Sequence, residues 1–123
     1  MKVHSPGFLA LVDYAKRRVR QMSLGEYEQL VTSGEKFLFI DVREDHEWNE
    51  AHPKGAVHMS KGIIERDIEE AVPDKKTRLV LMCGGGYRAS LAADNLHKMG
   101  YSEAVSFDGG WRAWQEAGLP TEV

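Results

Sequence analysis

The sequence is poor in cysteine. Among its 123 residues only Cys83 carries a thiol. This count excludes a disulfide within the chain, a Cys-x-x-Cys redox pair and any zinc or iron–sulfur site that needs several cysteines. Whatever chemistry Cys83 performs therefore proceeds without a second thiol from the same chain.

Long apolar runs and an excess of one charge are also missing. No apolar run approaches the ~20 residues of a membrane-spanning helix, and charged residues interrupt the apolar stretch near the N-terminus, where a signal peptide would need its hydrophobic region. The formal net charge of −3 gives no general attraction to nucleic acid. We expect a cytoplasmic globular protein with no membrane span and no nucleic-acid partner, and its oligomeric state stays open.

The first residues predict an amphipathic helix. Ser5 suits the N-cap and Pro6 the first helical position, and apolar residues follow at helical spacing: Phe8, Leu11, Val12, Ala15, Val19 and Met22. The opposite side is basic and could lie on an anionic surface, but packing on the chain's own domain is the commoner arrangement. We predict a helical extension over residues 1–22 and one domain over residues 23–123.

Strands alternate with helices in the rest of the chain. A capping box at Ser23-Leu24-Gly25-Glu26 opens a helix that should end near Gly34. Short apolar runs typical of buried strands occupy residues 37–40, 78–82 and 104–107, with a weaker run at 55–59. Helical patterns separate these runs. The alternation predicts an α/β fold in which helices cover both faces of a parallel sheet.

Cys83 stands where one of these strands ends. A loop rich in glycine leads from it to the next helical pattern: Gly84, Gly85, Gly86, Tyr87 and Arg88. In open α/β sheets ligands bind beyond the carboxyl ends of the strands, and glycines let a short loop point several backbone N–H groups at one spot. These donors and the helix N-terminus favour a thiolate. Free cysteines are often merely buried, but a core cysteine does not require such a loop, so we predict a nucleophile.

The loop also carries a resemblance to a known family. The run Cys83-Gly84-Gly85-Gly86-Tyr87-Arg88, followed by Ala89-Ser90, resembles the Cys-x-x-Gly-x-Arg-Ser active-site loop of the rhodanese family. Three further segments agree in order, namely residues 41–48, 51–58 and 108–114. The resemblance extends from about Ser23 to the C-terminus. It departs where the family's Gly-His-Ile-Pro-Gly-Ala reads Ala51-His52-Pro53-Lys54-Gly55-Ala56 and where Ala89 replaces a frequent serine, but neither change removes a reacting atom.

The resemblance implies a single rhodanese-like domain with a five-stranded parallel sheet and helices on both faces. It further implies a sulfurtransferase. A donor such as thiosulfate or a persulfide would leave its sulfane sulfur on Cys83, and a thiophilic acceptor, either cyanide or a thiol, would remove it. A protein acceptor is also open. No metal and no organic cofactor is expected.

Four charged residues are candidates for supporting roles. Arg88 either binds an anionic donor or pairs with Asp41 at a neighbouring strand end, and we favour the pair because Asp41 would otherwise be a partly buried carboxylate without a partner. Arg43 and Glu47 are predicted to form a structural ion pair, since they lie four residues apart. Arg88 would then be the only fixed positive charge near Cys83. We therefore expect a donor of lower charge than thiosulfate to load Cys83 faster.

Two other functions remain as alternatives. One is a cysteine phosphatase or arsenate reductase of the same fold, but that loop has five residues between cysteine and arginine, whereas four separate Cys83 from Arg88. The smaller loop favours sulfur over phosphate. The other is a non-catalytic rhodanese-like binding module that has lost its cysteine, which the intact Cys83 loop argues against.

Overall fold

A five-stranded sheet forms the centre of the structure, a computed structural model that describes residues 3–123. All of its neighbouring strands are parallel, and in spatial order they are β1 (Gln21–Met22), β6 (Ala104–Phe107), β5 (Leu79–Met82), β2 (Leu38–Asp41) and β4 (Val57–His58). A separate antiparallel pair joins β3 (His52–Pro53) to β7 (Thr121–Glu122). The predicted α/β fold with a five-stranded parallel sheet is confirmed.

Six helices accompany these strands within residues 3–123: α1 (Pro6–Arg18), α2 (Leu24–Ser33), α3 (Asp45–Glu50), α4 (Ile64–Ala71), α5 (Tyr87–Lys98) and α6 (Gly110–Glu116). The predicted capping box opens α2: the hydroxyl of Ser23 accepts from the N–H of Glu26 at 3.1 Å, and the Glu26 carboxylate accepts from the N–H of Ser23 at 3.0 Å. Gly34 ends this helix in the left-handed conformation. In the part of the chain that the structure describes, no helix is long and apolar enough to cross a membrane.

The sheet separates two apolar cores. In the central strand β5, Leu79 and Leu81 belong to a core with side chains of α4 and α5, whereas Val80 and Met82 belong to a core with side chains of α2 and α6. All four strand residues are fully buried. Because both faces of β5 are covered, its sequence is a continuous apolar run rather than an alternating one. Burial of each such side chain stabilises the fold by roughly 1.5–3 kcal/mol.

The first helix ends earlier than its apolar spacing predicts. We expected a helix through Met22, but α1 ends at Arg18 and the chain is extended at Val19. Gln21 and Met22 form the edge strand β1 beside β6, and Met22 is buried. Pairing with β6 gives this backbone hydrogen-bond partners and buries Met22, and these contacts outweigh the local helical pattern. The division of the chain at residue 22 stays a prediction.

Helix α1 packs against α5. Val12, Ala15 and Val19 are buried as predicted, whereas Leu11, which was predicted on the same apolar side, is exposed. An ion pair from Arg18 Nε to Asp94 Oδ1, 2.8 Å long, ties the end of α1 to α5. This packing places Phe8, in the first turn of α1, beside Tyr87, the first residue of α5.

Candidate active site

The carboxyl ends of three parallel strands meet at one edge of the sheet. Asp41 at the end of β2 lies in register with Met82 at the end of β5, and β6 runs parallel on the other side of β5. The segments after these strands surround a cavity of about 870 Å³. Its lining includes Glu44, His46, Glu47, Cys83, Gly84, Gly85, Tyr87, Arg88 and Arg112, together with Val3, His4, Ser5 and Phe8.

The sulfur of Cys83 is held by backbone donors. Cys83 is 1% exposed, and its Sγ accepts from the N–H groups of Gly86 at 3.1 Å and Ala89 at 3.3 Å. Gly86 is the N-cap of α5 and has φ 96°, a conformation that favours glycine. The sulfur thus lies at the positive end of a 12-residue helix. This arrangement stabilises negative charge on the sulfur.

The same loop has further donors. Within residues 3–123, four of its backbone N–H groups donate to no protein acceptor, those of Gly84, Gly85, Tyr87 and Arg88. Unpaired N–H groups at the start of a helix and in a tight loop form a natural site for an anion. A charged group beside Sγ would therefore find hydrogen-bond donors in the loop itself.

Helix α6 contacts the Cys83 loop through two backbone hydrogen bonds. The N–H of Trp111 donates to the carbonyl oxygen of Cys83 at 2.7 Å, and the N–H of Arg112 donates to that of Gly84 at 3.3 Å. Gly110 allows this approach: it has φ 55°, and a Cβ there would overlap the Cys83 oxygen and lie 2.8 Å from the Gly84 carbonyl carbon. The close contact therefore requires glycine at position 110.

The ion pairs differ from those expected. Arg88 does not pair with Asp41; it donates from Nη1 to Oε1 of Glu47 at 2.7 Å and from Nη2 to Oε2 at 3.1 Å. The predicted pairing of Arg43 with Glu47 is likewise wrong. Arg88 lowers the pKa of Glu47 to about 2, and the same hydrogen bond raises the pKa of Arg88.

Asp41 takes Arg43 as its partner instead. Two nitrogens of the Arg43 guanidinium contact the carboxylate, Nη2 at 2.9 Å from Oδ2, and the Arg43 N–H donates to Oδ1 at 3.0 Å. Arg43 also donates to the carbonyl of Ala51 and lies over the Trp111 ring, 4.6 Å from its centroid. Asp41 and Arg43 are both buried, and the hydrogen bonds from Arg43 satisfy the Asp41 carboxylate. Arg88 therefore pairs with Glu47 instead.

Several residues of this site were not predicted from the sequence. Arg112 lines the cavity, so the expectation that Arg88 is the only fixed positive charge near Cys83 is wrong. Arg112 belongs to the segment 108–114 that resembles the family, but its sequence position alone did not place it at the site. His46 and the N-terminal residues were likewise not predicted to line it. Within residues 3–123, no group of three or more His, Cys, Asp or Glu side chains could hold a metal ion.

Residues 23–117 match the family model of the rhodanese-like domain. The chain belongs to the rhodanese family. Its segment matched to this family contains the Cys83 loop, the Arg88–Glu47 pair and the sheet from β2 to β6, so the predicted family is confirmed. The strand β1 and the helix α1 precede the matched segment.

Several rhodanese relatives are sulfurtransferases. The chain is 34% identical over 84 residues to the thiosulfate sulfurtransferase GlpE of Vibrio cholerae, covering 68% of this chain and 77% of that protein. It is 30% identical over 96 residues to the putative sulfur carrier protein YrkF of Bacillus subtilis, covering 78% of this chain but only about half, 51%, of that relative's length. These similarities support a sulfurtransferase in general.

Solved structures of the same fold agree. The polysulfide-sulfur transferase homodimer of Wolinella succinogenes superposes with a TM-score of 0.76 at 28% identity, covering 94% of this chain and 87% of that one. A Rhodopseudomonas palustris protein of unknown function, described as a possible tyrosine phosphatase, reaches a TM-score of 0.86 at 24% identity and covers 99% of this chain and 98% of that one. The second likeness shows the fold alone.

We predict that Gly110→Ala destabilises the protein more than Gly118→Ala, a control replacement at another glycine with positive φ. Gly118 also has positive φ, at 69°, but a Cβ there meets nothing within 4 Å, so Gly118→Ala should cost only the backbone strain of about 1–2 kcal/mol. Gly110→Ala adds an overlap with the Cys83 carbonyl and should lower the free energy of unfolding by a further ~1–3 kcal/mol. Urea denaturation measures both losses. Equal losses would show that α6 does not depend on this close approach.

We predict that the Arg88–Glu47 pair makes the free energy of unfolding depend on pH in the acid range. Folding lowers the pKa of Glu47 from 4.5 to about 2, so the unfolded chain binds more protons in this range and the pair's stabilisation is present above pH 4.5 and lost as the pH falls towards 2. Glu47→Gln should therefore make stability less dependent on pH between these values. Urea midpoints across this range measure the slope, with Glu50→Gln on the exposed end of the same helix as control. An unchanged slope in the Glu47 variant would contradict the assignment.

Proposed function

We propose that this rhodanese carries a sulfane sulfur as a persulfide on Cys83 and passes it from a small donor to a thiophilic acceptor. One observation carries the proposal: Sγ already accepts two backbone hydrogen bonds, while N–H groups of the same loop remain unpaired within residues 3–123. Such a loop can stabilise a thiolate first and an outer sulfur afterwards.

Loading is a displacement at sulfur. The Cys83 thiolate attacks the outer sulfur of the donor, a new S–S bond forms at Sγ, and the donor's own bond to that sulfur breaks. The leaving group takes the electron pair, so thiosulfate leaves as sulfite and a persulfide leaves as a thiolate. No oxidant or reductant is consumed. The negative charge moves from Sγ to the outer sulfur, where the loop N–H groups can receive it.

Unloading reverses the roles. A nucleophilic acceptor, cyanide or a thiol, attacks the outer sulfur and leaves Cys83 as the thiolate that began the cycle. Cys83 itself is nearly fully buried, but the cavity in front of it opens to solvent at Gly85, His46 and Glu44, which are exposed. A small acceptor, or a thiol at the end of a flexible protein segment, could reach the outer sulfur through this opening.

Arg88 acts mainly on the shape of the loop in this proposal. Its guanidinium is neutralised by Glu47 through two hydrogen bonds, so it adds little net positive charge beside the sulfur. The pair joins the Cys83 loop to α3, 41 residues away in sequence. Stabilisation of the anionic intermediate then rests on backbone dipoles, whose positions are fixed before the reaction.

Replacement of the nucleophile tests the proposal. Cys83→Ser should fold normally, because the hydroxyl can accept the same N–H donors, and should lose transfer of sulfur from thiosulfate to cyanide by at least ~10³-fold. Thiocyanate formation measures the activity and circular dichroism checks the fold. An aryl phosphate is assayed in parallel with the natural chain. Substantial thiocyanate formation by the serine variant would contradict the covalent mechanism, and rapid hydrolysis of the phosphate would favour the phosphatase alternative.

A further inference from the structure

One wall of the Cys83 cavity comes from residues that precede the matched family segment. The match begins at residue 23, yet Val3, His4, Ser5 and Phe8 line the cavity that contains Cys83. The packing of α1 against α5 brings them there. The N-terminal segment therefore belongs to the same cavity as the reacting sulfur.

This wall is aromatic. The ring of Tyr87, in the Cys83 loop, lies 4.9 Å from the ring of His4 and 6.1 Å from that of Phe8, and His4 and Phe8 lie 5.2 Å apart. All three residues are only partly buried and line the cavity, and Lys16 Nζ lies 5.0 Å from the centroid of the Tyr87 ring. We call His4, Phe8 and Tyr87 the aromatic wall. Such surfaces bind the apolar or planar parts of a ligand.

The cavity is much larger than an inorganic sulfur donor requires. Its volume of about 870 Å³ lies in the range of sites that enclose organic ligands of a few hundred daltons, roughly 300–1,000 Å³. Thiosulfate has only five heavy atoms and would leave most of this space to water. The size therefore favours a donor that carries an organic group behind its reactive sulfur.

The charged side chains around the cavity also favour an organic donor over thiosulfate. Arg88 is neutralised by Glu47, whereas Arg112 is exposed and has no salt-bridge partner among residues 3–123. Glu44 lines the same cavity, so a compact dianion near Cys83 experiences cationic and anionic side chains together. A donor whose carboxylate is remote from its sulfur can pair that carboxylate with Arg112 while its outer sulfur reacts at Cys83.

Building on the sulfurtransferase function proposed above, we infer that the aromatic wall and Arg112 bind the non-reacting part of an organic persulfide that bears a carboxylate. The N-terminal segment is then a specificity element of the active site. In the reaction the Cys83 thiolate attacks the outer sulfur of R–S–SH, the S–S bond of the donor breaks, and R–S⁻ leaves with the electron pair. Cys83 becomes Cys83–S–SH, and atoms and charge balance without a co-reactant.

The test compares two donors on the full chain. Loading of Cys83 is followed by stopped-flow measurements with glutathione persulfide and with thiosulfate, and the ratio of the two second-order rate constants reports donor selectivity. Phe8→Ala and His4→Ala should each lower this ratio, and the double variant should lower it by roughly tenfold, the loss expected from about 1.4 kcal/mol of ring contacts. These variants should raise the concentration of glutathione persulfide at half-maximal rate and leave the limiting rate unchanged.

Leu11→Ala is the matched control, because Leu11 is an exposed apolar residue of the same helix that does not line the cavity. It should leave the ratio unchanged.

Arg112→Gln supplies a variant that leaves α1 intact. It should slow loading from glutathione persulfide but have little effect on the dimethyl ester of the same donor, which has no carboxylate for the arginine to bind.

The outcomes separate the two proposals. If Cys83 loads from neither donor in the natural chain, the sulfurtransferase function is wrong and the inference fails with it. If both donors load Cys83 but the ratio is the same in the His4, Phe8 and Arg112 variants, only the inference is wrong. An equal fall of both rate constants, with a lower melting temperature, would show that the wall has a structural role alone.

Discussion

The backbone N–H groups of Gly86 and Ala89 point at Cys83 Sγ because the chain turns from β5 into α5 within a few residues. This turn needs the left-handed conformation of Gly86 and a close approach of α6, which Gly110 permits. The N–H of Trp111 then fixes the Cys83 carbonyl. Strand, loop and two helices thus cooperate to give one sulfur atom a set of preorganised donors.

The charges near the site are balanced in pairs. Arg43 satisfies Asp41 in the interior, and Arg88 satisfies Glu47 at the cavity. The first pair also supports the loop indirectly, because Arg43 lies over the ring of Trp111. Since neither of these two arginines is free, we expect the proposed anionic sulfur to be stabilised mainly by backbone dipoles, which cost little to reorganise during the reaction. Among the arginines that line the cavity in the described part of the chain, Arg112 is the one without a salt-bridge partner.

Local patterns predicted the fold well. The capping box at Ser23, the apolar runs of β2, β5 and β6, and the glycine-rich loop after Cys83 each depend on residues close in sequence, and each was found where it was predicted. The contacts that were missed are long-range. Arg88 reaches Glu47 across 41 residues, and Gln21–Met22 leaves a helical pattern to pair with β6. Sequence spacing could not show these contacts because tertiary packing decides them.

The central claim is that Cys83 holds a transferable sulfur, and intact mass spectrometry tests it most directly. The purified chain is treated with a sulfane donor, freed of excess donor, and measured before and after addition of cyanide. We expect a mass increase of one sulfur atom, located on the peptide that contains Cys83, and its complete loss with cyanide. A chain that gains no sulfur under these conditions, or that gains sulfur elsewhere when Cys83 is replaced by serine, would contradict the account.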